Sequence, residues 1–188
     1  MSTEGCTKGM YFTEVVSYIS RCKGFEKAVE LCAKAGLPHE FKSLENYPIR
    51  RLVALQELAI AECMPGLSKD DGFKELGAMS FQTFSQTVLG QATLSIFGRN
   101  VIQFCRFIPS YYKFANNFGN VSVQVYSQNS FAVFFEDFLA HPYAQLGTFY
   151  EAFRSLGVNA ETRLEISRYT DRGEGDIDSD FCIFVNTV

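Results

Sequence analysis

The spacing of apolar side chains changes from a helical to a strand period near residue 120. Before that point apolar residues recur every three or four positions. They predict two short helices within 13–35, the first capped by Thr13. Pro48 is predicted to open a longer helix, because a proline in the first turn loses no hydrogen bond there. Met64 follows its last turn.

Three further helices complete the first half of the chain. Ser68 is followed by two acidic residues, a pattern typical of a capped helix start, and that helix is predicted to reach 89–90. A short helix is predicted over 91–97. Asn100 is predicted to cap the last helix, which Pro109 stops.

The second half alternates apolar and polar residues, as strands do. A hairpin is predicted over 121–138, and a helix bearing Leu146 and Phe149 follows it. Alternation returns over 159–169, a loop is predicted over 171–180, and a last strand over 181–188. The order is helices and then β-β-α-β-β, which predicts an α+β fold with a four-stranded antiparallel sheet.

The chain of 188 residues is expected to form one domain over 1–188. Residues 1–12 are expected to be flexible or strand-like, 13–118 to be the helical part and 119–188 the sheet part. No secretory signal and no apolar run long enough for a membrane span is visible, so we expect a cytoplasmic protein. The net charge of −4 argues against a nucleic-acid partner.

Neither the cysteines nor the acidic segment predicts a metal site. The six cysteines show no C-x-x-C pair and are interpreted as reduced thiols, mostly in the core. Asp176, Asp178 and Asp180 repeat the opening of a calcium loop, but Phe181 stands where that loop needs glycine. We expect a solvated acidic hairpin instead. No nucleophile, dinucleotide or phosphate-loop motif is present, which argues against an enzyme.

Aromatic residues concentrate over 97–153, which holds 16 of the 28 phenylalanines and tyrosines. This segment predicts either a filled core or an apolar pocket between helices and sheet. Arg106 and Tyr112 are its candidate polar anchors. The predicted ligand-binding residues, with no catalytic or metal-binding residue among them, are Phe97, Phe104, Arg106, Phe107, Tyr112, Phe131, Phe135, Phe149 and Phe153.

A series of short motifs resembles one uncharacterised single-domain family that has many paralogues in myxobacteria. The resemblance runs from about Tyr11 to Val188. It depends on the order and spacing of Gly36-Leu37-Pro38, Tyr47-Pro48, Leu76-Gly77, Leu89-Gly90, Ile108-Pro109, Asn116-Asn117-Phe118, Gly147 and Gly157. The helical half followed by β-β-α-β-β is similar to haem-nitric-oxide-binding sensors, 4-vinyl reductase domains and transport-particle subunits. That resemblance implies a non-enzymatic domain with an apolar pocket and a tendency to dimerise.

The same resemblance bears on haem. The haem sensors carry a histidine on the helix before the sheet and Tyr-x-Ser-x-Arg in the first hairpin. Here that helix has Phe104, Cys105 and Arg106, and the hairpin has Tyr126 to Ser130 without arginine. No cofactor is therefore predicted, and a lipid-like or other apolar ligand is left open as the alternative to haem.

Three hypotheses for function remain open at this stage. The first is a cytosolic sensor or adaptor domain that binds a small hydrophobic molecule in the aromatic pocket. The second is a homodimeric interaction module whose aromatic rings only fill the core. The third is a small-molecule enzyme without a recognisable motif.

Overall fold

A computed structural model describes residues 4–97 and 100–187. Seven helices and six strands are formed within these residues. In chain order they are β1 Cys6–Lys8, α1 Gly9–Lys23, α2 Phe25–Lys34, β2 Asn46–Pro48, α3 Ile49–Cys63, α4 Lys69–Gln86, α5 Val88–Phe97, α6 Val101–Ala115, β3 Asn120–Val125, β4 Ser130–Phe138, α7 Pro142–Ser155, β5 Ala160–Asp171 and β6 Ile177–Thr187. The predicted α+β fold, with its helical half followed by β-β-α-β-β, is confirmed. Residues 1–3, 98–99 and 188 lie outside the described residues, so the predicted end of the last strand at Val188 lies outside them too.

The main sheet has the order β3-β4-β6-β5, and every neighbouring pair is antiparallel. Its inner face carries alternate apolar residues of β4 and β6, among them Phe131, Phe135, Phe181 and Ile183, all fully buried. They pack against α6 and α7 in one hydrophobic cluster, and α1 to α4 form a second. The aromatic segment therefore lies where the helical layer meets the sheet.

The start of α1 differs from the prediction. The helix begins at Gly9, and the Thr13 hydroxyl donates to the Gly9 carbonyl inside it. The N–H groups of Gly9 and Met10 donate to the carbonyls of Glu45 and Ser43, at 2.9 and 3.1 Å. Both acceptors lie in the connector, the segment between α2 and α3. These distant carbonyls accept from backbone N–H groups that have no partner inside the helix. The sequence near residue 9 gives no sign of such partners. The predicted cap at Thr13 is wrong.

The connector itself forms a strand that the pattern did not reveal. Asn46–Pro48 pairs with Cys6–Lys8 as a two-stranded antiparallel sheet, so the N-terminal segment is partly strand. Pro48 precedes α3 and is not its first residue. Three-residue strands are too short to show a period, which is why the sequence pattern missed them.

Helix α6 continues through Pro109 to Ala115, against the predicted stop. A proline inside a helix removes one backbone hydrogen bond. Buried residues lie on both sides of it, with Cys105 and Ile108 before and Ala115 after. Their packing outweighs that loss, and it places Tyr111 and Tyr112 on the helix.

The predicted loop over 171–180 is shorter in the structure, because β6 already begins at Ile177. Ile177 and Ser179 are buried, and the intervening Asp178 and Asp180 point outward to Arg168. The Arg168 guanidinium lies 2.7 Å from Asp178 and 2.6 Å from Asp180. The acidic segment thus belongs to the hairpin of β5 and β6, as expected, but Asp178 and Asp180 are salt-bridged to Arg168 on its strands.

All six cysteines are free thiols. Cys32 and Cys105 are buried, Cys22 is exposed, and the other three are half-buried. Among the described residues no group of three or more histidine, cysteine and acidic side chains could hold a metal ion. Within the same residues, no helix combines the length and the apolar character that a membrane crossing requires.

Candidate ligand-binding cavity

A cavity of about 130 Å³ lies between the two hydrophobic clusters. Ile49 and Leu52 of α3 belong to the first cluster and form one side of its wall. Phe104 and Ile108 of α6 and Phe149 of α7 belong to the second and form the opposite side. The cavity therefore lies between α3 of the helical layer and the two helices, α6 and α7, that pack on the sheet.

Aromatic residues are the largest group in the wall. Ten of its 24 described residues are phenylalanine or tyrosine, which are Tyr11, Phe81, Phe84, Phe104, Phe107, Tyr111, Tyr112, Phe118, Phe138 and Phe149. The polar side chains of the wall are all uncharged at neutral pH, and they are Thr7, Tyr11, Gln56, Ser80, Thr93, Tyr111, Tyr112, Asn116, Gln145 and Thr148. Uncharged polar groups set among aromatic and aliphatic side chains are typical of a small-molecule site.

Four of the nine predicted ligand-binding residues line the cavity, namely Phe104, Phe107, Tyr112 and Phe149. Phe131, Phe135 and Phe153 are buried behind this wall and do not line it; Phe153 contacts Phe104, with ring centroids 6.3 Å apart. Phe97 is half-buried and packs on Phe104 and Phe107, outside the wall. Arg106 is exposed on α6 and does not line the cavity. Tyr112 is the one candidate anchor that the structure places there.

The sequence did not predict the part of the wall that α1, α3 and α4 form. This part includes Tyr11, Gln56 and Ser80, which lie outside the aromatic-rich segment 97–153. Gln145 did carry a local signal. It precedes Phe149 by four positions and Ala152 by seven, so it is a polar residue within the apolar stripe of α7.

Two hydrogen bonds between side chains cross the cavity wall. The Tyr112 hydroxyl on α6 donates to Gln145 Oε1 on α7. The Tyr11 hydroxyl on α1 bonds the Tyr111 hydroxyl on α6 at 2.6 Å. Burial raises the pKa of both Tyr11 and Tyr112, so both phenols stay protonated at neutral pH.

A buried carboxyl group adjoins the cavity. The Ser80 hydroxyl, part of the wall, donates to Glu14 Oε2 at 2.6 Å. Burial raises the pKa of Glu14 to about 7, although hydrogen bonds from Ser80 and Thr83 and the charge of Arg21 act in the opposite direction. The Glu14 carboxyl is thus about half protonated at neutral pH.

Glu14→Gln should stabilise the protein more strongly as the pH rises. The folded state binds a proton at Glu14 more tightly than the unfolded state does, so the wild type loses stability as the pH rises from about 4.5 to 7 and does not regain it above that. The free energy of unfolding of the variant relative to the wild type should increase by about 2 to 3 kcal/mol over that interval. Urea denaturation at pH 4.5, 6 and 8 measures it. Exposed Glu75→Gln is the matched control, and an equal pH trend in both variants would contradict the assignment.

Residues 3–172 match the family described as "protein of unknown function (DUF2378)". The chain belongs to this family. No protein with a curated description matches it. The predicted membership of an uncharacterised family related in fold to haem-nitric-oxide-binding sensors is confirmed, the fold relationship by the following structures.

Solved H-NOX structures share the fold of this DUF2378 chain. The Fe(II) unliganded H-NOX protein from K. algicida matches with a TM-score of 0.72 at 17% identity, covering 96% of each chain. An oxygen-binding H-NOX domain related to soluble guanylate cyclases, in its oxygen complex, matches with a TM-score of 0.69 at 12% identity. A structure concerned with haem distortion in the H-NOX family matches with a TM-score of 0.66 at 13% identity. The last two matches cover 96% of this chain and 94% of theirs.

The residues of the DUF2378 cavity do not fit haem. Protein ligands of haem iron are histidine, cysteine, methionine or tyrosinate. The described wall contains no histidine, cysteine or methionine, and its tyrosines are held protonated by burial. His141, whose ring stacks on Phe73 at 4.0 Å, and Cys105 are both buried outside it. No lysine or arginine of the described wall is available to pair with the propionates, and 130 Å³ accommodates far less than four pyrrole rings.

Proposed function

We propose that this DUF2378 domain is a non-enzymatic cytosolic sensor or adaptor that binds a small hydrophobic molecule in its central cavity. The observation that carries the proposal is the cavity itself, an apolar, ring-lined space where interiors are normally close-packed. The H-NOX fold supports it, because one structure of that fold is described as an oxygen-binding domain. The ligand would act on packing, since Phe104 of α6 and Phe149 of α7 both face it.

A substitution that fills the cavity tests this proposal. Ala152 on α7 lines the cavity, so Ala152→Leu should extend into empty space and change the free energy of unfolding by less than about 1 kcal/mol. The matched control is Ala28→Leu, at a fully buried position of α2 outside the wall. Overpacking there should cost about 1–3 kcal/mol. Urea denaturation of the two variants measures both effects.

The same pair of variants tests binding. Benzene should raise the melting temperature of the wild type and of Ala28→Leu, because a ligand that binds only the folded state stabilises it. Ala152→Leu should show no such increase. A loss of stability in Ala152→Leu equal to that in Ala28→Leu, together with no effect of benzene on the wild type, would refute the proposal.

A homodimeric interaction module is the second candidate function. It is favoured by Val88 and Ile96 on α5, whose side chains are 87% and 74% exposed. Apolar side chains that protrude in this way are typical of interfaces when they form a patch. Light scattering over a hundredfold dilution distinguishes a dissociating dimer from a monomer, and a monomer at every concentration would exclude this candidate.

A further inference from the structure

We infer that the cavity selects an uncharged molecule of about one six-membered ring that carries one hydroxyl group. The inference rests on the proposed function and adds the chemical class of the ligand. It follows from three features of the wall, which are its volume, its lack of charge and the hydrogen-bonding capacity left at Tyr112 and Gln145.

The volume sets the size of the ligand. At about 130 Å³ the cavity is close to the roughly 150 Å³ of apolar cavities that admit benzene. A fatty-acid chain or a multi-ring molecule would have to extend out of this space or displace side chains. Seven phenylalanines of the wall offer ring faces and edges, which pair favourably with another aromatic ring in stacked or edge-on arrangements.

The absence of charge in the described wall sets the charge of the ligand. Lysine, arginine, histidine, aspartate and glutamate are all missing from its 24 residues. A carboxylate or an ammonium group placed there would lose its hydration without gaining an ionic partner, which costs far more than the burial of a neutral group. Glu14 lies beyond Ser80 and is not part of this wall; its Oε2 accepts from the Ser80 hydroxyl, and its Oε1 is buried without a hydrogen-bond partner.

The Tyr112–Gln145 pair sets the polar group of the ligand. The Tyr112 proton is used on Gln145 Oε1, which leaves lone pairs on the Tyr112 oxygen and two N–H donors on Gln145 Nε2. A ligand hydroxyl can donate to the first and accept from the second. A ligand without a polar group would leave the Tyr112 oxygen and Gln145 Nε2 without partners. Binding would then lose the hydrogen bonds that these groups can make to water.

The second hydroxyl pair provides an internal comparison. Tyr11 and Tyr111 bond each other at 2.6 Å, and their hydroxyls lie between α1 and α6. Removing the Tyr111 hydroxyl should therefore leave the contact between ligand and Tyr112 intact. Tyr111→Phe is the matched control for Tyr112→Phe, since the two residues are adjacent on α6 and both line the cavity.

The experiment is calorimetric titration of the full chain with three probes of similar size, benzene, phenol and benzoate. Phenol should bind about three- to tenfold more tightly than benzene, the gain expected for one net hydrogen bond, and benzoate should not bind. Tyr112→Phe should remove the preference for phenol and keep benzene binding, whereas Tyr111→Phe should keep the preference. Gln145→Met provides a second test at the other end of the pair should Tyr112→Phe fail to fold.

The outcomes separate this inference from the proposed function. Equal affinity for benzene and phenol, tighter binding of benzoate, or a preference for phenol that survives both Tyr112→Phe and Gln145→Met would overturn the ligand class while leaving a small-molecule site. Failure of all three probes to bind the wild type would overturn the proposed function as well.

Discussion

Gly147→Ala should destabilise the protein by at least about 3 kcal/mol, although alanine is normally the better helix former by about 1 kcal/mol. Gly147 lies inside α7, and a Cβ atom there would be 1.9 Å from the carbonyl oxygen of Lys74 on α4. Gly77 of α4 is placed in the same way, 1.8 Å from the carbonyl oxygen of Ala144 on α7. Because both obstacles are backbone atoms, the helices must separate to admit either methyl group.

Chemical denaturation of Gly147→Ala and Gly77→Ala measures this effect, with Gly66→Ala as the control. Gly66 follows α3, where an added Cβ meets nothing within 4 Å, so its substitution should change the free energy of unfolding by less than about 1 kcal/mol. The double variant should cost less than the sum of the two single ones, since the first separation of the helices makes room for the second methyl. A stabilising Gly147→Ala would show that the helices do not touch here.

Phe135→Ala should cost about 3–5 kcal/mol. Phe135 is fully buried on the inner face of β4, and its ring stacks on Phe181 with centroids 4.5 Å apart and planes 9° apart. It also meets Tyr112 and Phe149 edge-on, at 5.3 and 6.2 Å. The variant loses a large buried ring and leaves a void between sheet and helices.

The adjacent Phe134→Ala is the control, because Phe134 points to the outer face of the same strand and is only half-buried. Its removal should cost about 1 kcal/mol. Thermal and urea denaturation of the two variants compare core with surface on one strand. Equal losses of stability in the two variants would mean that Phe135 is not a core residue.

The sequence pattern predicted the elements that are long and one-sided. The β-β-α-β-β order and the stripe of α7 were readable because their periods persist over six or more residues. The start of α1, the strand Asn46–Pro48 and the continuation of α6 past Pro109 were not, since each depends on partners far along the chain. Distant contacts are not a property of any local window.

The candidate site shows the same division. Composition identified the aromatic segment and four of the residues that line the cavity. It did not separate those four from Phe131, Phe135 and Phe153, because strand and helix periods tell which residues turn inward but not which of them adjoin empty space. Tyr11 and Gln56 lie on helices far away in the chain, and only the tertiary fold brings them to the wall, where Tyr11 bonds Tyr111 of α6.

The central claim is that the cavity is hollow and apolar, and diffraction from crystals of the full chain pressurised with xenon tests it most directly. Xenon occupies dry apolar cavities of this size. We expect one xenon site bounded by Phe104, Ile108 and Phe149, and its absence from Ala152→Leu crystals. Wild-type crystals without xenon, in which side chains or hydrogen-bonded water fill this space, would contradict the account.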